Sequence, residues 1–198
     1  MSAITEGNAP GRFDLTMLYA AYAAFRRDTA RLAAAALPHD IWTLFKFHWR
    51  AQHAAERRAL WTVMDGRAHG TALDEMDDRA LRLVPLLDTV DAALQHGDRL
   101  VLARYVPALR DAADAYLDHK ERHVLPLVHE HLTPYEWATF DVEFRREVGV
   151  RGFGVFLAWL LDDAPETTAQ AVLRLMPPPV RLLYRTRHPR RAHRAVTP

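Results

Sequence analysis

The sequence of 198 residues has no cysteine, only eight glycines, and no apolar run long enough to cross a membrane. Without cysteine the chain forms no disulfide, iron–sulfur cluster or zinc ribbon, and it has no cysteine nucleophile. Residues 1–12 lack the basic start and the apolar stretch of a signal peptide. We therefore expect a cytoplasmic protein that has no membrane partner.

Acidic residues are missing from the C-terminal end of the chain. After Glu166 there is no Asp or Glu, but there are seven arginines. Removing these seven charges from the net charge of +1 leaves −6 for residues 1–166. A basic segment of this kind can contact nucleic acid, anionic lipid or the acidic part of its own chain. We expect the last of these, because Leu182, Leu183 and Tyr184 can pack, and no basic stripe carries aromatic residues suited to base stacking.

Four long segments have apolar residues spaced three and four apart, a pattern typical of amphipathic helices. Pro38, two Gly-containing breaks and the segment after His131 separate them. Four such helices joined by short loops predict an all-α, up-down-up-down four-helix bundle over about residues 13–131. The predicted helices cover residues 13–36, 41–64, 73–94 and 99–131.

Shorter helices are predicted after the bundle. Thr133, Pro134 and Glu136 form the pattern of a helix start, with a capping threonine, a first-turn proline and a glutamate that closes a capping box. We expect helices over residues 134–147, 152–161 and 166–175, and we expect the prolines at 177–179 to end regular structure. The chain is thus predicted to be one domain, with a bundle over about 13–131, a helical extension over about 133–176 and a basic tail over 177–198.

Polar residues occupy inward positions at one level of the predicted bundle. The inward-facing set is Tyr22, Gln52, Glu56, Tyr116 and Lys120, with Ala80 facing it from the third helix. Gln52 and Glu56 are four residues apart, as are Tyr116 and Lys120, so each pair shares one helix face. Helices two and four run parallel in this topology, which can bring the two pairs side by side. Because a buried charge is costly unless paired, we expect Glu56 and Lys120 to satisfy each other.

Several motifs resemble the hemerythrin-like (HHE cation-binding) family, in its long actinobacterial form, across nearly the whole chain. They are YAAFRRD at 22–28, HAAERRALW at 53–61, RLVPLL at 82–87, YLDHKE at 116–121 and LPL at 125–127, followed by HLTP at 131–134, WLL at 159–161 and PPPVRLLY at 177–184. The resemblance implies the family's four-helix bundle and a non-haem di-iron centre that binds oxygen or related small molecules.

The family's metal ligands are a histidine in helix one, His-x-x-x-Glu in helix two, a histidine in helix three and His-x-x-x-Glu in helix four. The positions that match these ligands are Tyr22, Gln52, Glu56, Ala80, Tyr116 and Lys120. Only Glu56 is retained. A lysine ammonium repels a metal ion, and protonated phenols and an amide are poor ligands. The departures therefore argue against the family's metal, and we expect no metal and no cofactor.

Other histidines could supply a rearranged metal site. His48 and His123 are the inward candidates, but their spacing puts them about three turns, or about 16 Å, apart along the bundle. His53 and His119 flank the inward stripe and could approach it. An iron protein with a rearranged ligand set stays open as an alternative.

The inward groups suggest a polar small-molecule pocket in the former metal cavity. If the pocket is catalytic, Glu56 is the general base, Lys120 an electrostatic clamp or general acid, and Tyr22 and Tyr116 donate to a developing oxyanion. This set suits cofactor-independent cyclisation, isomerisation or elimination. The residues expected to contact the substrate are Gln52, Ala80, Phe25, Phe45, Trp49 and His123. Two further alternatives are a ligand-binding module without turnover, and a purely structural role in which Lys120 replaces the metal as the partner of Glu56.

Overall fold

The computed structural model describes residues 13–34 and 39–187, and every regular element within these ranges is a helix. The prediction of an all-α protein is confirmed for this part of the chain. No helix in it is both long and apolar enough to cross a membrane. The predictions made for residues 1–12, for the break at Pro38 and for the end of the basic tail lie outside the described residues.

The helices follow the predicted order closely. Two π-helical turns, π1 (Arg57–Trp61) and π2 (Lys120–Val124), interrupt the second and fourth predicted helices without ending them. The α-helices are α1 (Thr16–Ala34), α2 (His39–Glu56), α3 (Thr62–Met64), α4 (Ala72–His96), α5 (Arg99–His119), α6 (Leu125–His131), α7 (Pro134–Leu160), α8 (Glu166–Leu175) and α9 (Pro178–Arg187).

Each π turn shifts the backbone hydrogen bonds from the fourth to the fifth preceding residue. The N–H of Thr62 donates to the carbonyl of Arg57 in π1, and the N–H of Leu125 donates to the carbonyl of Lys120 in π2. Pro126 follows π2 and has no N–H for an α-helical bond, so a local widening of the helix is expected there. A π turn inserts one residue and thereby rotates the side chains beyond it.

The helix ends are set by local chemistry. The backbone N–H of Thr133 donates to Glu136 at 2.9 Å, and the N–H of Glu136 donates back to the Thr133 hydroxyl at 3.3 Å. The predicted capping box is therefore confirmed. Asp98 caps α5 by accepting from the N–H groups of Leu100 and Val101 at 3.1 and 3.0 Å.

Two features near the C-terminal end refine the predictions. Gly149 has φ 71° and ψ 167°, a conformation that favours glycine, and it interrupts α7 between the two helices predicted for that segment. The prediction that prolines 177–179 end regular structure is wrong, because α9 begins at Pro178. Prolines in the first turn lose no helical hydrogen bond, and the carbonyl of Pro177 accepts from the N–H groups of Val180 and Arg181.

The contacts divide the chain into two compact units. One is Phe25–Phe153, and the other combines Met1–Ala24 with Gly154–Pro198. In the Phe25–Phe153 unit α4 packs along α5, and the core includes Phe25, Phe45, Leu83 and Leu109. Most of the predicted site residues fall in this unit, and Tyr22 falls in the other.

Candidate functional site

The centre of the candidate site is an ion pair between Glu56, the last residue of α2, and Lys120, the first residue of π2. The Lys120 ammonium donates to Oε2 of Glu56, and the Gln52 amide donates to Oε1 at 2.9 Å. Both charged side chains are 0% exposed. The predicted contact between Glu56 and Lys120 is therefore present, and both carboxylate oxygens are engaged.

Aromatic rings surround the Lys120 ammonium. Its nitrogen lies 5.3 Å from the ring centroid of Trp61 and 5.2 Å from that of Tyr116, within the range of cation–π attraction. Burial lowers the pKa of Lys120, and the neighbouring Glu56 carboxylate opposes this change. Burial also pushes the pKa of Glu56 up, but Lys120, together with His53 and Gln52, outweighs it and holds that pKa below its usual value. These contacts favour a charged pair in the core.

Tyr116 lies one helical turn before Lys120 and is buried. Burial, reinforced by the charge of Glu56, raises the pKa of its phenol well above the usual value. The hydroxyl therefore stays protonated at neutral pH. The predicted role of Tyr116 as a donor to a developing oxyanion stays a prediction.

His53 is a second polar group beside the pair, half-buried as a residue but with a buried Nε2, and the sequence placed it only on the flank of the stripe. Its ring stacks on Trp49, with centroids 4.1 Å apart, and on Tyr116, with centroids 5.4 Å apart, and the Trp49 and Tyr116 centroids are 6.0 Å from each other. Nδ1 lies 2.8 Å from the carbonyl oxygen of Trp49. Burial, followed by the charge of Lys120, lowers the pKa of His53 to about 4, so its ring is neutral at pH 7. The usable sequence signal was its spacing of four residues from Trp49 and three from Glu56.

The aromatic residues predicted to line the pocket lie together. Phe25 meets Phe45 and Trp49 edge-on, with ring centroids 5.7 and 5.0 Å away, and Phe45 stacks on Trp49 at 5.3 Å. Trp49 also lines a cleft between α2 and α4 with a volume of about 130 Å³. The lining of this α2–α4 cleft is Phe45, Lys46, Trp49, Arg50, Val84, Leu87, Asp88 and Asp91. Trp49 thus lines the α2–α4 cleft and also stacks on His53.

Three predicted site residues are not brought into this cluster by any observed contact. Tyr22 is fully buried but belongs to the other unit, so its role in the site stays a prediction. Ala80 is half-buried on α4. His123 is exposed on π2, where its ring packs against His119 with centroids 5.0 Å apart. The inserted residue of π2 explains this position, because a regular helix would have kept His123 on the face of Lys120.

The donor set does not fit the di-iron centre that the family resemblance implies. The oxygens of Glu56 accept from Lys120 and Gln52, and the positive charge of Lys120 lies where a metal ion would have to approach. Across residues 13–34 and 39–187, no group of three or more His, Asp or Glu side chains is arranged to hold a metal ion.

Comparison of the chain with protein-family models, with curated proteins and with solved structures finds no match. The hemerythrin-like resemblance therefore depends on the motifs quoted above.

Proposed function

We propose that the chain is a hemerythrin-like four-helix bundle whose former metal cavity is a metal-independent, polar small-molecule site. The observation that carries the proposal is the buried contact of Lys120 with Glu56. An internal ammonium takes the place of the metal cations beside the one carboxylate that the resemblance retains. Gln52 and Tyr116 stand at two further ligand positions and add an amide and a phenol.

The chemistry that suits these groups is proton transfer on an oxygenated organic substrate. Glu56 becomes available as a base when the substrate displaces the Gln52 amide from its carboxylate. It would then remove a proton from carbon next to a carbonyl, while Lys120 and Tyr116 stabilise the negative charge that develops on oxygen. Return of the proton to a different carbon gives an isomerisation, and loss of a leaving group instead gives an elimination.

The surroundings favour a small substrate with a flat apolar part. Phe25, Phe45 and Trp49 form an aromatic wall on one side of His53, and Trp61 and Tyr116 flank Lys120. Aromatic walls of this kind bind planar molecules, and the few polar groups among them fix the orientation.

A ligand-binding module without turnover is the second candidate. The observation that favours it is the complete burial of Glu56 and Lys120, since a closed site retains a ligand better than it exchanges substrate and product. The same residues serve both functions, so the two candidates differ in turnover alone.

Elemental analysis and ligand binding test the proposal together. Protein purified without chelator is expected to contain only trace metal, and a panel of small oxygenated compounds is expected to include some that raise its melting temperature. The double variant Glu56→Gln/Lys120→Met should lose this stabilisation, whereas Lys46→Met in the α2–α4 cleft should keep it. One or two iron ions per chain, lost on Glu56→Gln, would replace the proposal with the iron-protein alternative.

A further inference from the structure

The imidazole of His53 is held in one tautomer and one orientation. A carbonyl oxygen only accepts hydrogen bonds, so the contact of 2.8 Å with the carbonyl of Trp49 requires the proton on Nδ1. The stacking of the ring on Trp49 and Tyr116, with interplanar angles of 30° and 21°, opposes rotation. Nε2 therefore carries no proton and can only accept a hydrogen bond.

Nε2 of His53 is buried and has no hydrogen-bond partner among the described residues. Leaving a buried acceptor unpaired costs about 1–3 kcal/mol, so buried polar atoms of native proteins are nearly always paired. The atom sits beside the groups of the proposed site, since Tyr116 stacks on its ring and Lys120 and Glu56 act on its charge. Nε2 of His53 takes no part in the hydrogen bonds that Lys120 and Gln52 make to Glu56.

We propose that Nε2 of His53 accepts a hydrogen bond from a hydroxyl group of the bound small molecule, and that the ligand is a neutral, planar hydroxylated compound such as a phenol or an enol. This inference rests on the small-molecule site proposed above and names its ligand class. His53 is a binding residue of that site in addition to those predicted from the sequence.

A hydroxyl group suits this position better than other donors. The ammonium of Lys120 is close enough to lower the pKa of His53, and it repels a second cation in the same way. Tyr116 and Lys120 are hydrogen-bond donors of the proposed site and Nε2 of His53 is an acceptor, so a ligand group that uses both kinds has to accept one hydrogen bond and donate another. A hydroxyl does both, whereas an amide N–H only donates. The neighbouring aromatic faces select a flat molecule.

Phenol and anisole test the inference, because they have similar shapes and only phenol donates a hydrogen bond. Wild-type protein is expected to bind phenol at least about tenfold more tightly than anisole, which corresponds to about 1.4 kcal/mol. His53→Phe keeps a stacking ring without an acceptor, so it should bind both compounds with similar affinity. His53→Gln keeps a side-chain acceptor and should restore part of the preference. Affinities are measured by calorimetry, and the His53 ring nitrogens are followed by ¹⁵N NMR.

The possible failures are distinguishable. Equal affinity for phenol and anisole in the wild type, or a preference that survives His53→Phe, would show that Nε2 is satisfied by water and would overturn the inference while the site remains. Failure of phenol to bind at millimolar concentration also overturns it. The proposed site itself fails only if no compound of the wider panel stabilises the wild-type protein. If His53→Phe does not fold, the wild type is compared with His53→Gln instead. This substitution should weaken the binding of phenol more than the binding of anisole, and equal weakening would overturn the inference.

Discussion

Two lysine–carboxylate pairs of the Phe25–Phe153 unit have the same chemistry in opposite environments. In the core, Lys120 contacts Glu56 and both side chains are 0% exposed. On the rim of the α2–α4 cleft, Lys46 contacts Asp91 and both side chains are 27% exposed. Neutral donors support both carboxylates. Glu56 accepts from the Gln52 amide at 2.9 Å in the core, and Asp91 accepts from the Trp42 indole at 2.7 Å and the Gln95 amide at 3.4 Å on the rim.

The difference between the pairs shows where this molecule is sensitive to substitution. Water screens the rim pair, so forming or breaking it changes the free energy of unfolding by about 1 kcal/mol at most. The core pair has lost its water, and removal of one partner leaves a charge that nothing solvates. The same type of lysine–carboxylate contact therefore affects the free energy of unfolding differently at the two places. Four substitutions or changes of condition test this difference.

The largest effect is expected from Lys120→Met. This change leaves the Glu56 carboxylate buried without its counter-ion and should lower the free energy of unfolding by about 3–5 kcal/mol, as measured by urea denaturation. The double variant Glu56→Gln/Lys120→Met removes both charges and should recover most of the loss. If Lys120→Met costs no more than Lys46→Met, the core pair is not desolvated as described.

A smaller effect is expected from acidification, through His53. The unfolded chain takes up a proton near the ordinary histidine pKa of about 6.5, whereas the folded chain does so only near pH 4. The unfolded state thus binds more protons between these values, and stability falls as the pH drops from about 6.5 to about 4, by up to about 3 kcal/mol for this residue. The difference in unfolding free energy between wild type and His53→Phe, measured across this range, should change accordingly. A pH-independent difference would contradict the burial of the ring.

Gln52→Leu should have the next effect in size. It removes the hydrogen bond of 2.9 Å to Glu56 while keeping side-chain volume, and bonds to charged groups contribute about 1.5–3 kcal/mol. We expect a loss of about 2 kcal/mol in denaturant unfolding. The matched comparison is Gln52→Glu, which adds a carboxylate beside Glu56. Its loss in free energy of unfolding should be larger at neutral pH than at pH 4.

Lys46→Met on the rim of the cleft should have the smallest effect, below about 1 kcal/mol. Salt screens an exposed pair, so the loss should shrink further as the salt concentration rises. Measuring it beside Lys120→Met at low and high salt separates the two environments directly. A loss as large as that of Lys120→Met would mean that the rim pair is as dehydrated as the core pair.

Much of the fold could be read from local patterns. The apolar spacing of three and four, the breaks between segments and the capping box at Thr133 and Glu136 each act within a few residues, and they placed the helices to within a turn. The π turns and α9 were missed for a different reason. The π turns were missed because a hydrophobic pattern with a regular period of 3.6 residues does not reveal the insertion of one residue. Helix α9 was missed because a proline run can end one helix and also stand in the first turn of the next.

The candidate site was predictable in part. The positions of Glu56 and Lys120 on inward stripes, together with the cost of burying an unpaired charge, were enough to predict their contact. His123 was predicted inward because π2 was not foreseen. The significance of His53 was not evident because Tyr116, which stacks on its ring, comes from a different helix, α5, whereas only Trp49 lies on the same helix.

The sequence by itself determined that the described chain is helical, that cysteine chemistry is absent and that a lysine faces a glutamate inside. These properties depend on residue type and on periodicity within single helices. Only the tertiary structure decided which polar groups are satisfied by each other and which are left over. Hydrogen bonds and loss of solvent depend on atoms from separate helices meeting within a few ångströms. The same packing buries the core pair, leaves the rim pair partly exposed and gives Nε2 of His53 no donor from the described residues.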